Sequence, residues 1–397
     1  MGFFTLVLVN LGRNKRRTIL TMLSVVVALF LFCGLRGVLD TLDASIKVGS
    51  EARLVTRNRI SLIFPLPLSY RERIAGIPGV KRIGYANWFG GRDPVDPKNW
   101  YAQFAGDENY LPIYSSDFDI VQYQPPQAGA AIPAGVDPKL ASYYIERDAC
   151  VVGERLFKKM NWKLGQQVTL SGTIFPGTWT YNIRAVYRAK NPAMGEQSLF
   201  FHWKYLSEKG MNGQGQVGWY VLELSDPSQA GAVTKAVDAI YTNSAAATHT
   251  ETERAFQAGF VSMYGNVPFL IAVIGLAVVF AILLVAANTM MMAARERTAE
   301  IGVMKTLGFE DGAIFGMVLV EAAIITLGGG VLGALLAKWA IEGTGFNAGG
   351  VLPPMTVSWT TVSIGLAIAV LMGASSGLIP AFQASRLKIV DALRRVE

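Results

Sequence analysis

Four long apolar stretches dominate the hydrophobic pattern of this 397-residue chain. The hydrocarbon core of a bilayer, about 30 Å thick, needs about 20 mostly apolar residues in a helix, and each stretch reaches that length. Hydrocarbon offers backbone groups no hydrogen-bond partner, so each stretch is predicted to be helical. The predicted membrane-spanning helices cover residues 18–39, 266–292, 313–341 and 357–381. The first is longer than the roughly 7–15 apolar residues of a cleaved signal peptide, and we expect it to be retained as an anchor.

A long polar stretch, residues 40–265, separates the first predicted helix from the other three. It is too long for a loop and predicts a folded α+β domain whose ends continue the neighbouring helices as a stalk. Strands are predicted at 166–171, 181–187 and 219–224, and helices at 70–75, 154–160 and 229–241. The predicted fold class is therefore a membrane protein with four transmembrane α-helices, one before and three after a large extracytoplasmic α+β domain.

The positions of the charged residues orient the predicted helices. The net charge is +7, and 16% of the residues are charged, below the roughly 25% of a soluble domain. Lys and Arg cluster in 1–17, 293–312 and 382–397, whereas 342–356 has neither. Because cytoplasmic loops carry the excess of basic residues, we expect those three segments in the cytoplasm and 40–265 and 342–356 outside. Nucleic-acid binding is not expected, because the basic clusters adjoin membrane helices and lack interleaved aromatic residues, and membrane lipid is their expected counterpart.

Sequence motifs for catalysis are missing from these 397 residues. They contain no GxxxxGK[ST] phosphate-binding loop and no HExxH. The GxGxxG of Gly213, Gly215 and Gly218 leads into a predicted strand, whereas a dinucleotide site needs a helix there, so we interpret it as a flexible loop. Asp117 and Asp119 are predicted to lie on a solvated loop rather than to act as an acid–base pair. We therefore predict no catalytic, metal or cofactor site in this chain.

Ionisable and small residues mark the predicted membrane helices. Glu321 and Lys338 lie in or near the third helix, where such groups point to function. We predict that Glu321 pairs across the helix bundle and that Lys338 extends to the outer interface. Two pairs of glycines have the four-residue spacing that lets helices approach closely, either between two copies of the chain or within one chain. These glycines are Gly329, Gly333, Gly373 and Gly377.

Short motifs beside the predicted helices resemble a known family. Residues 10–21 are NLGRNKRRTILT, residues 294–308 are ARERTAEIGVMKTLG, and residues 384–394 are ASRLKIVDALR. With the one-plus-three helix layout, they resemble the MacB/FtsX-like permeases of ABC transporters (type VII), which include the LolC/LolE type that releases lipoproteins. In the outer domain, 151–156 (VVGERL) and 164–168 (LGQQV) are similar to the family pattern. Many members carry a proline before the final Asp-Ala-Leu, which this chain lacks.

The resemblance implies that 293–312 is a coupling helix that docks on an ATPase. Its expected apolar anchors are Ile301 and Leu307, and its charged residues would surround them. The charged residues are Arg295, Glu296, Arg297, Glu300 and Lys305. Glu296 and Glu300 lie four positions apart, as do Arg297 and Ile301, so a helix presents both signs of charge on neighbouring faces, which suits a protein contact. The alternative is an ordinary charged loop that fixes the membrane topology.

The resemblance also implies the function and the partners. The chain would be a permease subunit, itself non-catalytic, that couples ATP hydrolysis to movements of its periplasmic domain. ATP and Mg²⁺ are expected on a dimeric cytoplasmic ABC ATPase, on a separate chain because few residues precede the first helix. A second permease chain, identical or different, and a periplasmic adaptor or outer-membrane protein are further expected partners.

Two hypotheses differ in what the movement of the periplasmic domain accomplishes. In the permease reading, the expected cargo is a drug, peptide, lipid or lipoprotein that is exported or extracted on the outer side. The alternative is an FtsX-like signal protein that activates an extracytoplasmic partner such as a cell-wall hydrolase. A membrane-anchored enzyme is a third hypothesis, which the missing motifs disfavour.

Overall fold

The computed structural model describes residues 7, 9, 12–96, 101–132, 136–190, 195–211, 214–262, 265–344 and 355–388. The chain divides into two compact units. The helical unit comprises Met1–Thr41, Asn266–Phe346 and Met355–Glu397, and the sheet unit comprises Leu42–Gly265 and Asn347–Pro354. The predicted segments 1–17, 342–356 and 382–397 lie partly outside the described residues.

Helices and strands are numbered separately in chain order. The helices are α1 (Lys15–Val48), α2 (Tyr70–Ala75), α3 (Tyr110–Ile113), α4 (Ala141–Ile145), α5 (Glu154–Lys159), α6 (Trp203–Gly210), α7 (Ala230–Tyr241), α8 (Glu253–Ser262), α9 (Val267–Glu296), α10 (Thr298–Thr306), α11 (Asp311–Thr344) and α12 (Trp359–Ser385). The strands are β1 (Arg53–Asn58), β2 (Leu66–Pro67), β3 (Val80–Trp88), β4 (Gly91–Arg92), β5 (Ala102–Gly106), β6 (Phe118–Tyr123), β7 (Ala149–Gly153), β8 (Gln167–Gly172), β9 (Gly177–Ala189), β10 (Ser198–His202), β11 (Gln216–Val217), β12 (Trp219–Leu224) and β13 (Thr248–Thr252).

Four helices of the structure correspond to the four predicted membrane helices. α1, α9, α11 and α12 are long and apolar enough to cross a membrane. The side chain of Asn266 accepts a hydrogen bond from the N–H of Phe269 at 3.1 Å, and that of Ser358 accepts one from Thr361 at 3.0 Å. Such caps satisfy backbone donors that the start of a helix leaves unpaired. They help to fix where α9 and α12 begin.

Two glycines of α11 let it approach α1 closely. A Cβ atom added to Gly329 would lie 2.9 Å from the carbonyl oxygen of Met22, and one added to Gly333 would lie 2.5 Å from that of Val26. Both distances are shorter than carbon–oxygen contacts allow, so only glycine permits this backbone-to-backbone packing.

The second glycine pair joins α12 to α11. A Cβ atom on Gly377 would lie 2.8 Å from the Cβ of Ala322, and one on Gly373 would collide with the hydroxyl of Thr326. The structure therefore uses both predicted glycine pairs for packing within one chain.

Polar contacts connect the chain around the C-terminal end of α11. The ammonium group of Lys338 pairs with Glu342 at 2.7 Å and donates a hydrogen bond to the carbonyl of Val357 at 2.7 Å. The carboxylate of Asp40, on α1, accepts a hydrogen bond from the N–H of Ser358 at 2.8 Å. These contacts hold α1, α11 and the start of α12 together.

A long mixed sheet organises the sheet unit. Its strand order is β13-β1-β12-β3-β5-β10-β7-β9-β8-β4, and β6 also pairs with β9. The β10–β5 and β7–β9 pairs are parallel, whereas the other neighbours are antiparallel. The three predicted strands correspond to β8, β9 and β12, and the three predicted helices to α2, α5 and α7. The α+β prediction is confirmed.

Aromatic rings fill the core beneath this sheet. The ring of Phe89 lies edge-on to Trp179, with centroids 5.1 Å apart, and to Phe201, with centroids 5.3 Å apart. All three side chains are almost fully buried. Edge-to-face pairs of this kind add stability beyond the buried area itself.

The GxGxxG sequence does not form a nucleotide site in the part of the chain that the structure describes. Gly213 lies outside the described residues. Gly215, at a φ of 60°, precedes β11, and Gly218 lies between β11 and β12. A strand therefore follows the glycines, as the sequence predicted.

The prediction that Asp117 lies on a solvated loop is wrong. Its carboxylate pairs with the buried guanidinium of Arg53 at 2.6 Å, and the same guanidinium pairs with Glu253 at 2.8 Å. Asp119 is exposed, with Lys190 at 3.6 Å, but it lies on β6, so its predicted exposure is confirmed and its predicted place on a loop is wrong. Sequence spacing missed the Asp117 contact because Arg53 and Glu253 come from distant parts of the chain.

A buried carboxyl group in the sheet unit predicts a pH-dependent stability. Burial raises the pKa of Asp107 to about 7. One of its oxygens accepts a hydrogen bond from the N–H of Tyr85 at 3.1 Å, whereas the other has no hydrogen-bond partner among the described residues. Because the pKa is higher in the folded chain than the roughly 3.9 of an unfolded one, the folded state holds this proton more tightly.

Asp107 should therefore lower the free energy of unfolding as the pH rises from about 4 to about 7. Below about pH 4, Asp107 does not lower the free energy of unfolding. Above about pH 7, the full decrease remains and no longer changes with pH. An Asp107→Asn variant should gain midpoint temperature over the native chain at pH 8 and lose that gain at pH 4.5. Thermal unfolding of the detergent-solubilised chain at the two pH values measures this, and an equal difference at both would contradict it.

Candidate functional site

The short helix α10 lies between α9 and α11 and carries the 294–308 motif. α9 ends one residue before Arg297, whose backbone is not helical. At the other end, Gly308 adopts a φ of 90°, and the N–H groups of Gly308 and Phe309 donate to the carbonyls of Lys305 and Met304, each at 3.1 Å. This is a Schellman-type helix end, which glycine adopts without steric strain. Both ends of α10 are therefore sharply defined.

A buried ion pair anchors the start of α10 to α11. The guanidinium of Arg297 lies 2.7 Å from the carboxylate of Glu321, and the two side chains are 16% and 7% exposed. The pairing predicted for Glu321 is thus present, with Arg297 as its partner. Because each charge is withdrawn from water, each depends on the other.

Two further ion pairs join this region to the N-terminal end of α1. Glu296 lies 2.5 Å from Arg17, and Glu300 lies 2.7 Å from Arg13. Arg13, Glu296 and Glu300 are clearly more exposed than Arg297 and Glu321. Arg17 is about as exposed as Arg297. The two further pairs add orientation more than stability, because exposed ion pairs contribute little free energy.

Lys305 connects the far end of α10 to two other helices. Its ammonium group pairs with Asp311, at the start of α11, at 2.7 Å and donates to the carbonyl of Ser385, at the end of α12, at 2.5 Å. The side chain is largely buried. α10 is therefore attached to α11, to α12 and, through Glu300 and Arg13, to the residues just before α1.

The inner face of α10 packs against the same bundle. Ile301 is 3% exposed and lies in a cluster with Ile314 of α11 and Ala384 of α12. The structure thus places this expected anchor inside the chain, where it holds α10 rather than facing a partner.

The outer face of α10 is apolar and exposed. Leu307 is 74% exposed, Val303 is 48% exposed, and Phe309, just past the helix, is 40% exposed. Arg295, near the end of α9, is also exposed. We call Val303, Leu307 and Phe309 the apolar patch.

The structure distributes the residues that the sequence predicted for a protein contact over different environments. Of the seven predicted residues, Leu307 and Arg295 face outward, Ile301 is buried, and the other four make ion pairs within the chain. The missed residues are Val303 and Phe309. The four-residue spacing of Val303 and Leu307 was the available signal.

Metal chemistry finds no support among the residues that the structure describes. They contain no group of three or more His, Cys, Asp or Glu side chains that could hold a metal ion. Around α10, Arg297 and Lys305 face the bundle, whereas Val303, Leu307 and Phe309 are exposed.

Two protein-family models match the chain. The MacB-like periplasmic core domain matches residues 18–240, and the FtsX-like permease C-terminal domain matches 268–389. The chain belongs to the MacB/FtsX-like family of ABC transporter permeases. With four helices suited to crossing a membrane, this permease is a multi-pass inner-membrane protein.

Curated relatives of this MacB/FtsX-like permease match it over part of their length. The uncharacterized ABC transporter permease YknZ of Bacillus subtilis is 35% identical over 107 residues, which cover 27% of this chain and 26% of YknZ. The macrolide export ATP-binding/permease protein MacB of Nitrobacter winogradskyi is 34% identical over 158 residues, which cover 39% of this chain and 22% of MacB. The chain thus spans about a quarter of the length of the curated relatives it matches.

A solved structure is also similar to part of this permease. The periplasmic region of MacB from Actinobacillus actinomycetemcomitans superposes with a TM-score of 0.38 at 10% identity, covering 54% of this chain and 95% of that region.

Proposed function

We propose that this chain is the permease subunit of an ATP-driven ABC transport complex and that α10 docks on a cytoplasmic ATPase. The exposed apolar patch carries the proposal. A helix on a soluble surface turns its apolar side inward and its charges outward, whereas here the charges of Arg297 and Lys305 face the bundle and the apolar patch faces out. Exposed apolar patches of this kind mark contact sites for another protein.

The attachments of α10 give the proposed contact a mechanical role. Ion pairs tie this region to α1 and α11, and the hydrogen bond from Lys305 ties it to the end of α12. A shift of α10 on ATP binding would move these helices together as a rigid body. ATP and Mg²⁺ would be bound by the ATPase, and this chain would be non-catalytic.

The output of the movement is the second part of the proposal. Family membership and the large sheet unit support export or extraction of a drug, peptide, lipid or lipoprotein on the outer side, with both termini and α10 in the cytoplasm. Macrolide export is the activity printed in the name of the Nitrobacter winogradskyi relative. Signal transmission to an extracytoplasmic enzyme would use the same α10 contact, and the absence of any exported molecule would distinguish it.

Replacing Leu307 with aspartate should release the ATPase. The native tagged chain, purified from its own membranes in a non-ionic detergent, should retain an ATPase with vanadate-sensitive turnover. Central apolar contact residues typically contribute about 2 kcal/mol or more to binding, so Leu307→Asp and Val303→Asp should each retain less than about a tenth as much ATPase. Retained protein and turnover per permease are the two measurements.

The matched control is Ile63→Asp. Ile63 is 89% exposed and belongs to the sheet unit, so this variant makes the same change of apolar side chain to charge in the other unit. It should retain the ATPase at the native level. Full retention by both α10 variants would refute the docking proposal.

A further inference from the structure

The sheet unit contains a cavity that the α10 contact does not use. Its volume is about 280 Å³, close to the lower end of small-molecule sites, and all of its lining residues belong to the sheet unit. Six aromatic side chains contribute to its wall. They are Phe104, Tyr110, Tyr114, Phe118, Tyr187 and Phe200.

The rings form a connected aromatic wall. Phe200 stacks on Phe104, with centroids 5.6 Å apart, and lies 5.6 Å from Tyr187, which in turn lies 5.7 Å from Phe118. Aromatic faces carry a negative quadrupole potential. The wall therefore offers both apolar contact and an environment that favours positive charge.

The charged residues at the cavity also favour a positively charged ligand. Arg53 and Glu253 line the cavity, both buried, and Asp117 lies behind them, paired with Arg53. Among the described residues, Arg53 is the one cation paired with these two carboxylates, so the cluster carries a formal charge of −1. The guanidinium also covers the ring of Tyr114 at 4.6 Å, which leaves the other rings to contact a ligand.

A buried surplus of negative charge is costly unless a cation compensates it. The carboxylate of Glu253 already accepts hydrogen bonds from Arg53 and from the N–H of Ser50, at 2.8 and 2.9 Å. These bonds hold it in place at the cavity wall, where it would attract a cation and repel an anion.

We propose that this cavity binds a small organic cation with an apolar or aromatic body. The cationic group would lie near Glu253 and the body against the wall of Phe200, Phe104 and Tyr187. The proposal goes beyond the ATPase contact and does not depend on it, because the cavity lies entirely within the sheet unit.

Calorimetric titration of the full chain in a non-ionic detergent tests this site. The probes share a phenyl group and differ in charge: trimethyl(2-phenylethyl)ammonium, uncharged 2-phenylethanol and anionic 3-phenylpropionate. Heats measured with empty micelles are subtracted. The cation should bind one per chain and at least about tenfold more tightly than the alcohol, and the anion should bind more weakly still. Equal affinity for the cation and the alcohol would overturn the proposal and leave an apolar cavity only.

Two lining variants and one control locate the binding. Glu253→Gln should weaken binding of the cation at least about tenfold while leaving the alcohol unchanged. Phe200→Leu should weaken both the cation and the alcohol, and it keeps the test decisive if Glu253→Gln does not fold. The control, Glu51→Gln, removes an exposed carboxylate that pairs with Arg254 outside the cavity lining, and should bind like the native chain.

Unchanged affinity in the folded lining variants would place the binding elsewhere and refute the site. The titration requires no ATPase. Its failure alongside a retained ATPase would reject the cavity proposal alone, and the reverse result would reject the α10 contact alone.

Discussion

An Arg297→Met variant should lose about 3–5 kcal/mol of unfolding free energy. The loss arises because Glu321, 7% exposed, would keep its charge without its partner. Glu321→Leu should also lower the free energy of unfolding, because Arg297 would lose the carboxylate that lies 2.7 Å from it. The double variant should recover most of the stability, because two apolar side chains of similar size can replace a buried ion pair at little cost. Midpoints of thermal unfolding in detergent, read by tryptophan fluorescence, measure all three.

The pair of Arg17 and Glu296 provides the control. It bridges α1 and α9 in the same region, but the Glu296 side chain is 54% exposed. Arg17→Met should therefore cost no more than about 1 kcal/mol. If the double variant of Arg297 and Glu321 were no more stable than either single variant, these two side chains would act through other contacts rather than through each other.

A Gly333→Val variant should cost about 3 kcal/mol and reduce the yield of folded chain. Its first added carbon would lie 2.5 Å from the carbonyl oxygen of Val26 and 3.1 Å from the Cβ of Leu29. Neither neighbour is the mobile tip of a long side chain, so α1 and α11 would have to separate. The separation would also disturb the packing of Gly329 one turn earlier.

Gly343→Val is the matched substitution in the same helix. An added Cβ at Gly343 has no atom within 4 Å, so valine there should leave the stability within about 0.5 kcal/mol of the native value. The measurements are the midpoint temperature and the fraction of monodisperse chain after size-exclusion chromatography. Comparable losses from both variants would mean that helix propensity, and not the contact with α1, limits the substitution.

The pattern of buried and exposed residues determined which elements of the fold the sequence could predict. The membrane helices were predictable because their apolar length has few alternative explanations. β8 was predictable because its buried and exposed residues alternate. β7 was missed because every one of its residues is buried, and a short continuous apolar run does not distinguish a strand from a buried helix. β1 was missed because several of its buried residues are polar, namely Arg53, Thr56 and Asn58.

The sequence predicted which segment forms the candidate site, but not the direction in which each of its side chains faces. The 294–308 motif identified α10, but the direction in which each side chain faces depends on what packs beside it. Ile301 faces inward because Ile314 and Ala384 lie there, and Arg297 faces inward because Glu321 lies there. Contact partners that are distant in the sequence cannot be identified from the residues next to the side chain in question. The same holds for Asp117, whose partner Arg53 lies on β1.

The apolar patch on α10 has a consequence for the abundance of this protein in the cell. Under the proposed docking, a permease made in excess of its ATPase would present Leu307 and Val303 uncovered to the cytosol. Chaperones and proteases act on chains with exposed apolar surface, so unpartnered copies would be removed while partnered ones persist. The lifetime of the permease would then follow the supply of its partner, and balanced synthesis of the two subunits would be enforced by degradation as well as by transcription.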